Sequence, residues 1–188
     1  MDLKTLQEKI GQMLDVTLER AKIERERVPY SRSDGFPQAI LFLGPMFEVA
    51  SIPAMWGNEN EKYRLMGAVS ETAKRTMSMA VILVTDTRWV ESDKIAPLMG
   101  LPKPEDVGIE KWQDLYTAAL KKKFNSYAGN MPPEWYSEAL MVVAKGPGVG
   151  VIHRVAHYEK GANDSIKWVP ASVTPDAVTM NLIPDWWC

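Results

Sequence analysis

The chain has 188 residues, of which 46% are hydrophobic and 24% are charged, so it resembles a folded globular protein in composition. These proportions argue against a disordered or fibrous chain, and the length suits one domain with its own core. The charges of the 22 basic and 24 acidic residues nearly cancel. Charge therefore gives no support for binding to nucleic acid or to an anionic membrane.

The single cysteine, Cys188, can form neither an internal disulfide nor a structural zinc cluster, which favours a reducing compartment. The N-terminal segment interleaves charged and apolar residues, unlike a signal peptide. No apolar run approaches the roughly 20 residues that a membrane-spanning helix needs. We therefore expect a cytoplasmic protein without membrane contact.

The first predicted element is an amphipathic helix over residues 2–27, with apolar residues at three-to-four spacing. These are Leu3, Leu6, Ile10, Met13, Leu14, Leu18 and Ala21. Turn-forming residues at 29–37 end the helix and lead to a strand at 38–43. A Gly-Pro pair then precedes a second apolar run at 46–52, which predicts a hairpin or a sharply bent strand.

The middle of the chain predicts a helix over 59–78 and a strand over 79–90. Several prolines and glycines at 91–108 predict an ordered surface loop, and a loop of this length is a functional candidate. A shorter helix is expected over 109–124. Its predicted inward residues are Trp112, Leu115, Tyr116 and Leu120.

Two strand-like runs at 138–145 and 149–159 are joined through Gly-Pro-Gly, a connection so short that the strands must be antiparallel. We interpret the GPGVG string at 146–150 as this hairpin turn, because a phosphate loop needs a following helix. A further strand is expected at 165–170, and Thr174 with Pro175 would begin a short terminal helix.

The order of these elements lacks a regular strand, helix, strand alternation, which favours an α+β fold over a doubly wound parallel sheet. We expect one domain over residues 1–188. Its predicted core is a mostly antiparallel sheet of about five to six strands packed against two long helices.

The catalytic candidates are Asp86, Glu91, Glu138 and His153. Asp86 and Glu91 lie where the strand at 79–90 enters the loop, a position that often carries catalytic carboxylates. An ion pair with Arg88 explains Asp86 equally well. If Glu48, Glu138 and His153 converged with Asp86, they would form the site of a metal-dependent hydrolase or nuclease.

His153 and His157 form an HxxxH pattern, which binds zinc on a helix. Here the segment is a predicted strand, on which positions four apart are roughly 13 Å distant, too far to share one metal ion. A structural role on the face of Val151 and Val155 is favoured, and a single catalytic histidine stays open. We predict no metal site and no cofactor.

Trp186 and Trp187 are the candidate partner-binding residues. Two indoles near a chain end would form an adhesive patch if they were left in water. They would contact another subunit or partner, or dock back on their own chain.

The strand VILVTDTRWV, followed at a distance by EALMVVAKGPGVGVIHRVAHYEKG, resembles small uncharacterised α+β proteins of bacterial and phage genomes. The resemblance covers about residues 38–160 in outline. It implies a bacterial or phage source, with the host cytoplasm or the virion as the location of a phage protein. It carries no known activity and no motif residues to transfer.

The sequence therefore favours a non-enzymatic interaction or assembly protein that binds itself or another protein, because Met-rich and aromatic surfaces are available. The first alternative is the metal-dependent hydrolase or nuclease built on Asp86 and nearby carboxylates. The second is a small-ligand or nucleotide-binding protein that uses tryptophan and arginine side chains for stacking and charge contacts.

Overall fold

The structure is a computed structural model that describes residues 2–55, 59–90, 95–123 and 136–170. Glu91, Trp186, Trp187 and the expected terminal helix at Thr174 lie outside the described residues. The helices are α1 (Leu3–Glu26), α2 (Glu59–Arg75), α3 (Pro104–Val107) and α4 (Ile109–Lys123). The strands are β1 (Ala39–Leu43), β2 (Val49–Pro53), β3 (Ala80–Val90), β4 (Tyr136–Gly146), β5 (Gly150–Lys160) and β6 (Ile166–Trp168).

Helix α1 begins where the Asp2 side chain accepts a hydrogen bond from the Thr5 backbone N–H at 2.9 Å. A carboxylate in this position satisfies an N–H that has no partner within the helix. The buried side chains Ile10, Leu14 and Ala21 recur at helical spacing and face the sheet. The helix predicted over 2–27 is confirmed.

The strands form one antiparallel sheet in the order β2-β1-β3-β4-β5-β6. This sheet, together with the helices, confirms the predicted α+β class. The end of β4 lies beside the start of β3, where Gly146 approaches the Met79 carbonyl. A Cβ at Gly146 would be 2.2 Å from that carbonyl oxygen, so only glycine fits without a backbone shift. β1 and β2 form a hairpin, as do β4 and β5, in agreement with the sequence.

Both faces of the central strands are buried. One face packs against α1 and includes Leu43, Ile82 and Leu140. The alternate residues of the same strands, among them Phe42, Leu83 and Met141, are also buried. β2 and β3 are both antiparallel to β1, so α2 connects two parallel strands, and such a connecting helix packs on a face of its sheet. The buried stripe of α2 is Met66, Val69 and Ala73.

Contacts divide the chain into one unit of Met1–Thr87 with Ala139–Cys188, and a second unit of Arg88–Glu138. In the second unit, the Trp112 indole N–H donates to the Pro102 carbonyl at 2.8 Å and the ring stacks on Tyr116. The segment predicted as one loop at 91–108 instead contains a 3₁₀ turn and α3, both with an early proline that suits a first helical turn.

Trp112 is buried as predicted, whereas the prediction for Leu115 is wrong, because its side chain is exposed on α4. Across the described ranges, the structure contains no helix with the length and apolar character needed to cross a membrane.

Candidate functional site

The predicted residue Asp86 lies in a buried polar cluster with Arg25 of α1 and Tyr158 of β5. Arg25 Nε is 2.6 Å from Asp86 Oδ2, and these two side chains are 0% and 5% exposed. The single Nε hydrogen is directed to the Tyr158 hydroxyl at 3.3 Å, and that hydroxyl donates to Asp86 Oδ1. The result is a chain of hydrogen bonds from arginine through tyrosine to the carboxylate, with the ion pair alongside.

Burial dominates the electrostatics of this cluster. It raises the pKa of Asp86, and the hydrogen bond from Tyr158 and the charge of Arg25 oppose that rise. Burial and then the neighbouring carboxylate raise the pKa of the Tyr158 hydroxyl well above its ordinary value. Tyr158 therefore keeps its proton at physiological pH and acts as a permanent donor to Asp86.

Aromatic rings and helix α1 enclose the cluster. Tyr30 and Trp168 meet the Tyr158 ring edge-on, with centroids at 6.1 and 5.5 Å. The Trp168 indole N–H donates to Glu26 at 2.6 Å, so β6 is tied to the end of α1. Edge-to-face packing of this kind stabilises buried aromatic rings.

The geometry gives this cluster the properties of an internal clamp between α1, β3 and β5. Arg25 Nη1 donates to the Val28 carbonyl at 2.9 Å, which fixes the chain just after the helix. Arg25 Nη2 has no hydrogen-bond partner among the described residues. Because Asp86 and Tyr158 are almost fully enclosed, neither presents a reactive atom to a substrate at the surface.

Glu48, which the sequence grouped with Asp86, lies at the other end of the sheet, because Leu43 at the end of β1 pairs with Ala80 at the start of β3. Glu48 lies in the β1–β2 turn, where its carboxylate accepts the Met46 backbone N–H at 2.8 Å. Within ranges 2–55, 59–90, 95–123 and 136–170, no three His, Cys, Asp or Glu side chains form a possible metal site. The Arg88 side chain, an expected partner of Asp86, lies outside the described side chains.

The two histidines lie on β5, as the sequence indicates, and both are half-buried. Alternation along the strand places His153 and His157 on the face opposite Tyr158. Glu138, at the start of β4, is also half-buried. None of these three residues is without an interaction partner in the fold.

An open groove of about 430 Å³ lies between α1 and β5. Arg154 crosses it above Gly11 and pairs with Asp15, with Nε and Oδ1 2.6 Å apart. Gln7 at one end donates to the Val149 carbonyl at 3.1 Å. Arg154 and Asp15 are therefore paired with each other, and Gln7 is bound to the backbone of β5.

The edge strand β2 presents an exposed surface without charged side chains. Four of its five residues, VASIP, are exposed, and none is charged. Val49 is 50% exposed, and the flanking Met46 and Met55 are 87% and 79% exposed. Edge strands can pair with another chain, and proteins protect them with charged side chains, proline, bulges or a covering element; β2 has no charged side chain.

Further apolar side chains share the end of the sheet on which the β1–β2 turn lies. The Met79 N–H donates to the Leu43 carbonyl at 2.7 Å, which brings the end of α2 to this turn and leaves Met77 exposed beside it. Leu3, also exposed, approaches the β4–β5 turn at Gly148. Apolar patches of this kind mark contact surfaces on many proteins.

Comparisons with protein-family models, curated proteins and solved structures found no match for this chain.

Proposed function

We propose that this protein is a non-enzymatic interaction module that assembles with copies of itself. The observation that carries the proposal is the exposed, uncharged strand β2 between two exposed methionines, Met46 and Met55. Methionine side chains are flexible and polarizable, so they fit a partner surface well. The bacterial or phage source and the cytoplasmic location expected from the sequence belong to the same proposal.

The buried cluster concerns the alternative function built on Asp86. The clamp of Arg25, Asp86 and Tyr158 holds α1 on the sheet and turns its polar groups inward. Asp86, the centre of the alternative hydrolase, is thereby given a structural role. No observation in the described residues favours the hydrolase or the small-ligand protein, so neither is put forward as a second function.

The proposal is tested by measuring the average molecular mass of the protein as a function of its concentration. Light scattering or sedimentation velocity over about 5 to 500 µM covers dissociation constants near 10⁻⁵ M, which correspond to roughly −7 kcal/mol. We expect the average mass to rise above that of one chain within this range. A mass of one chain at every concentration would overturn the proposal.

A control separates specific association from general apolar adhesion. Val16 lies on the solvent face of α1 and is 56% exposed, similar to Val49 on β2. Val49→Lys, which adds a charge to the edge strand, should weaken association, whereas Val16→Lys should associate as the parent does. If this variant lost association as readily as Val49→Lys, the contact would not be specific to the sheet edge.

A further inference from the structure

The backbone N–H and carbonyl groups of β2 face β1 at some residues and the outer, unpaired side of the sheet at the others. Gly44 N–H donates to the Glu48 carbonyl and Ala54 N–H donates to the Gln38 carbonyl, each at 2.9 Å. In an antiparallel ladder the groups that face a given neighbour alternate along the strand. Glu48 and Ala54 face β1, so the odd-numbered residues of β2 face outward.

The outward residues are Val49, Ser51 and Pro53. Val49 and Ser51 each present an N–H and a carbonyl to the edge, whereas Pro53 presents only a carbonyl because it lacks the N–H. No strand of the described structure pairs with this side of β2, which ends the sheet order. This edge therefore offers a short ladder whose middle residue is Ser51.

This pattern is complementary to itself. In an antiparallel pair centred on Ser51, the two Ser51 residues exchange both of their hydrogen bonds. Val49 N–H of each copy then meets the Pro53 carbonyl of the other, so the missing proline N–H leaves only Val49 carbonyls without a strand donor. Ala50 is opposite Ile52, and no charged residue of β2 faces another.

We propose that two copies of this chain pair β2 with β2 around a two-fold axis at Ser51, which joins their sheets into one. This inference rests on the proposed function and identifies its partner and contact. Antiparallel pairing also brings Met46 of each copy toward Met55 of the other, because the start of one strand lies beside the end of its partner. Two-fold symmetry closes the assembly at a dimer.

The opposite edge of the sheet is less suited to such pairing. β6 is only three residues long. Its Lys167 forms an ion pair with Glu159 of β5, with Nζ and Oε1 2.6 Å apart. Lys160 also pairs there with Asp164 at 3.3 Å. Charged side chains on a short edge strand discourage the addition of another strand.

Charge substitution at the symmetry axis tests the inference. Ser51→Lys places two like charges opposite each other in the dimer, and Ser51→Glu does the same with the other sign. We expect the dimer dissociation constant of each variant alone to be at least about tenfold higher than that of the parent, which corresponds to about 1.4 kcal/mol. An equal mixture of the two variants should recover association, because residue 51 of one chain then meets its opposite charge.

The control is Val151→Lys on β5, which adds the same charge at an exposed position of another strand. It should associate as the parent does, and circular dichroism should give the parent spectrum for all variants. Recovery in the mixture is specific to a contact of residue 51 with itself. A folding defect shared by both Ser51 variants would give no recovery, and would be visible in the spectra.

Other outcomes separate this inference from the proposed function. A parent that associates while both Ser51 variants associate equally well overturns pairing at β2 and leaves the interaction module standing. A chain lacking residues 185–188 that loses association while the Ser51 variants keep it would place the contact at Trp186 and Trp187. If the parent protein has the mass of one chain at every concentration, both proposals are overturned.

Discussion

Replacing Arg25 with methionine should reveal how strongly the buried clamp stabilises the fold. Arg25→Met keeps much of the side-chain volume but removes the cation that lies 2.6 Å from Asp86 Oδ2. It also removes the hydrogen bond to the Val28 carbonyl and the contact of the guanidinium with the Tyr158 ring at 4.9 Å. Removing one member of a buried ion pair typically costs about 3–5 kcal/mol.

For a chain of 188 residues, a loss of about 3–5 kcal/mol corresponds to a fall in Tm of roughly 6–20 °C. Urea unfolding followed by tryptophan fluorescence gives the free energy of unfolding directly. The matched control is Arg154→Met, because Arg154 Nε is also 2.6 Å from a carboxylate, that of Asp15. These side chains are 38% and 58% exposed, so solvent screening should limit the loss to about 0–1 kcal/mol.

The double variant Arg25→Met with Asp86→Asn measures how much of the loss comes from the Asp86 carboxylate, which is left buried without a counter-charge when Arg25 is removed. Asparagine still accepts the Tyr158 hydrogen bond but carries no charge, so the double variant should regain at least half of the loss. If Arg25→Met costs no more than Arg154→Met, or if Asp86→Asn adds to the loss, the buried pair does not act as a clamp.

The Arg25→Met variant should also depend on pH in a defined direction. Burial already raises the pKa of Asp86 above 3.8, and loss of Arg25 removes an interaction that lowers it. The folded variant then holds a proton that the unfolded chain releases, so its stability falls as pH rises through the interval above 3.8. We expect the deficit against the parent to be larger at about pH 7 than at about pH 5.

Three substitutions test the packing of particular residues, each by urea unfolding. Gly146→Ala should cost about 2 kcal/mol or more, since its Cβ would be 2.2 Å from the Met79 carbonyl oxygen. Gly67→Ala, where a Cβ on α2 meets nothing within 4 Å, should instead stabilise by about 0.5–1 kcal/mol. Trp112→Phe loses the hydrogen bond to Pro102 and should cost about 1 kcal/mol. A Gly146→Ala variant as stable as the parent would contradict the close strand contact described here.

Local patterns predicted most of the fold. The period of apolar residues located α1 and α2, and the Gly-Pro-Gly connection located the β4–β5 hairpin within one or two residues. Strand order was not predicted, because pairing of β1 with β3 joins segments that are far apart in the chain. The short helix α3 was missed because its prolines were interpreted as breakers, although proline suits a first helical turn.

The sequence identified Asp86 but not its partners. Arg25 continues the buried stripe of α1 four residues after Ala21, so its position on the core face was the available signal. The predicted stripe of this helix contained only apolar residues and ended at Ala21, so Arg25 was not included in it. Tyr158 could not be connected to Asp86, since only the packing of β5 and β3 into one sheet brings the two together.

Amide hydrogen exchange of β2 distinguishes a free edge strand from one that is paired with a second copy. Ala50 and Ile52 turn their N–H groups to β1, so they should be protected at every protein concentration. Val49 and Ser51 turn theirs outward and should exchange rapidly in dilute protein, then become protected as the mass rises toward two chains. Equally rapid exchange of Val49 and Ser51 in associated protein would contradict pairing at this edge.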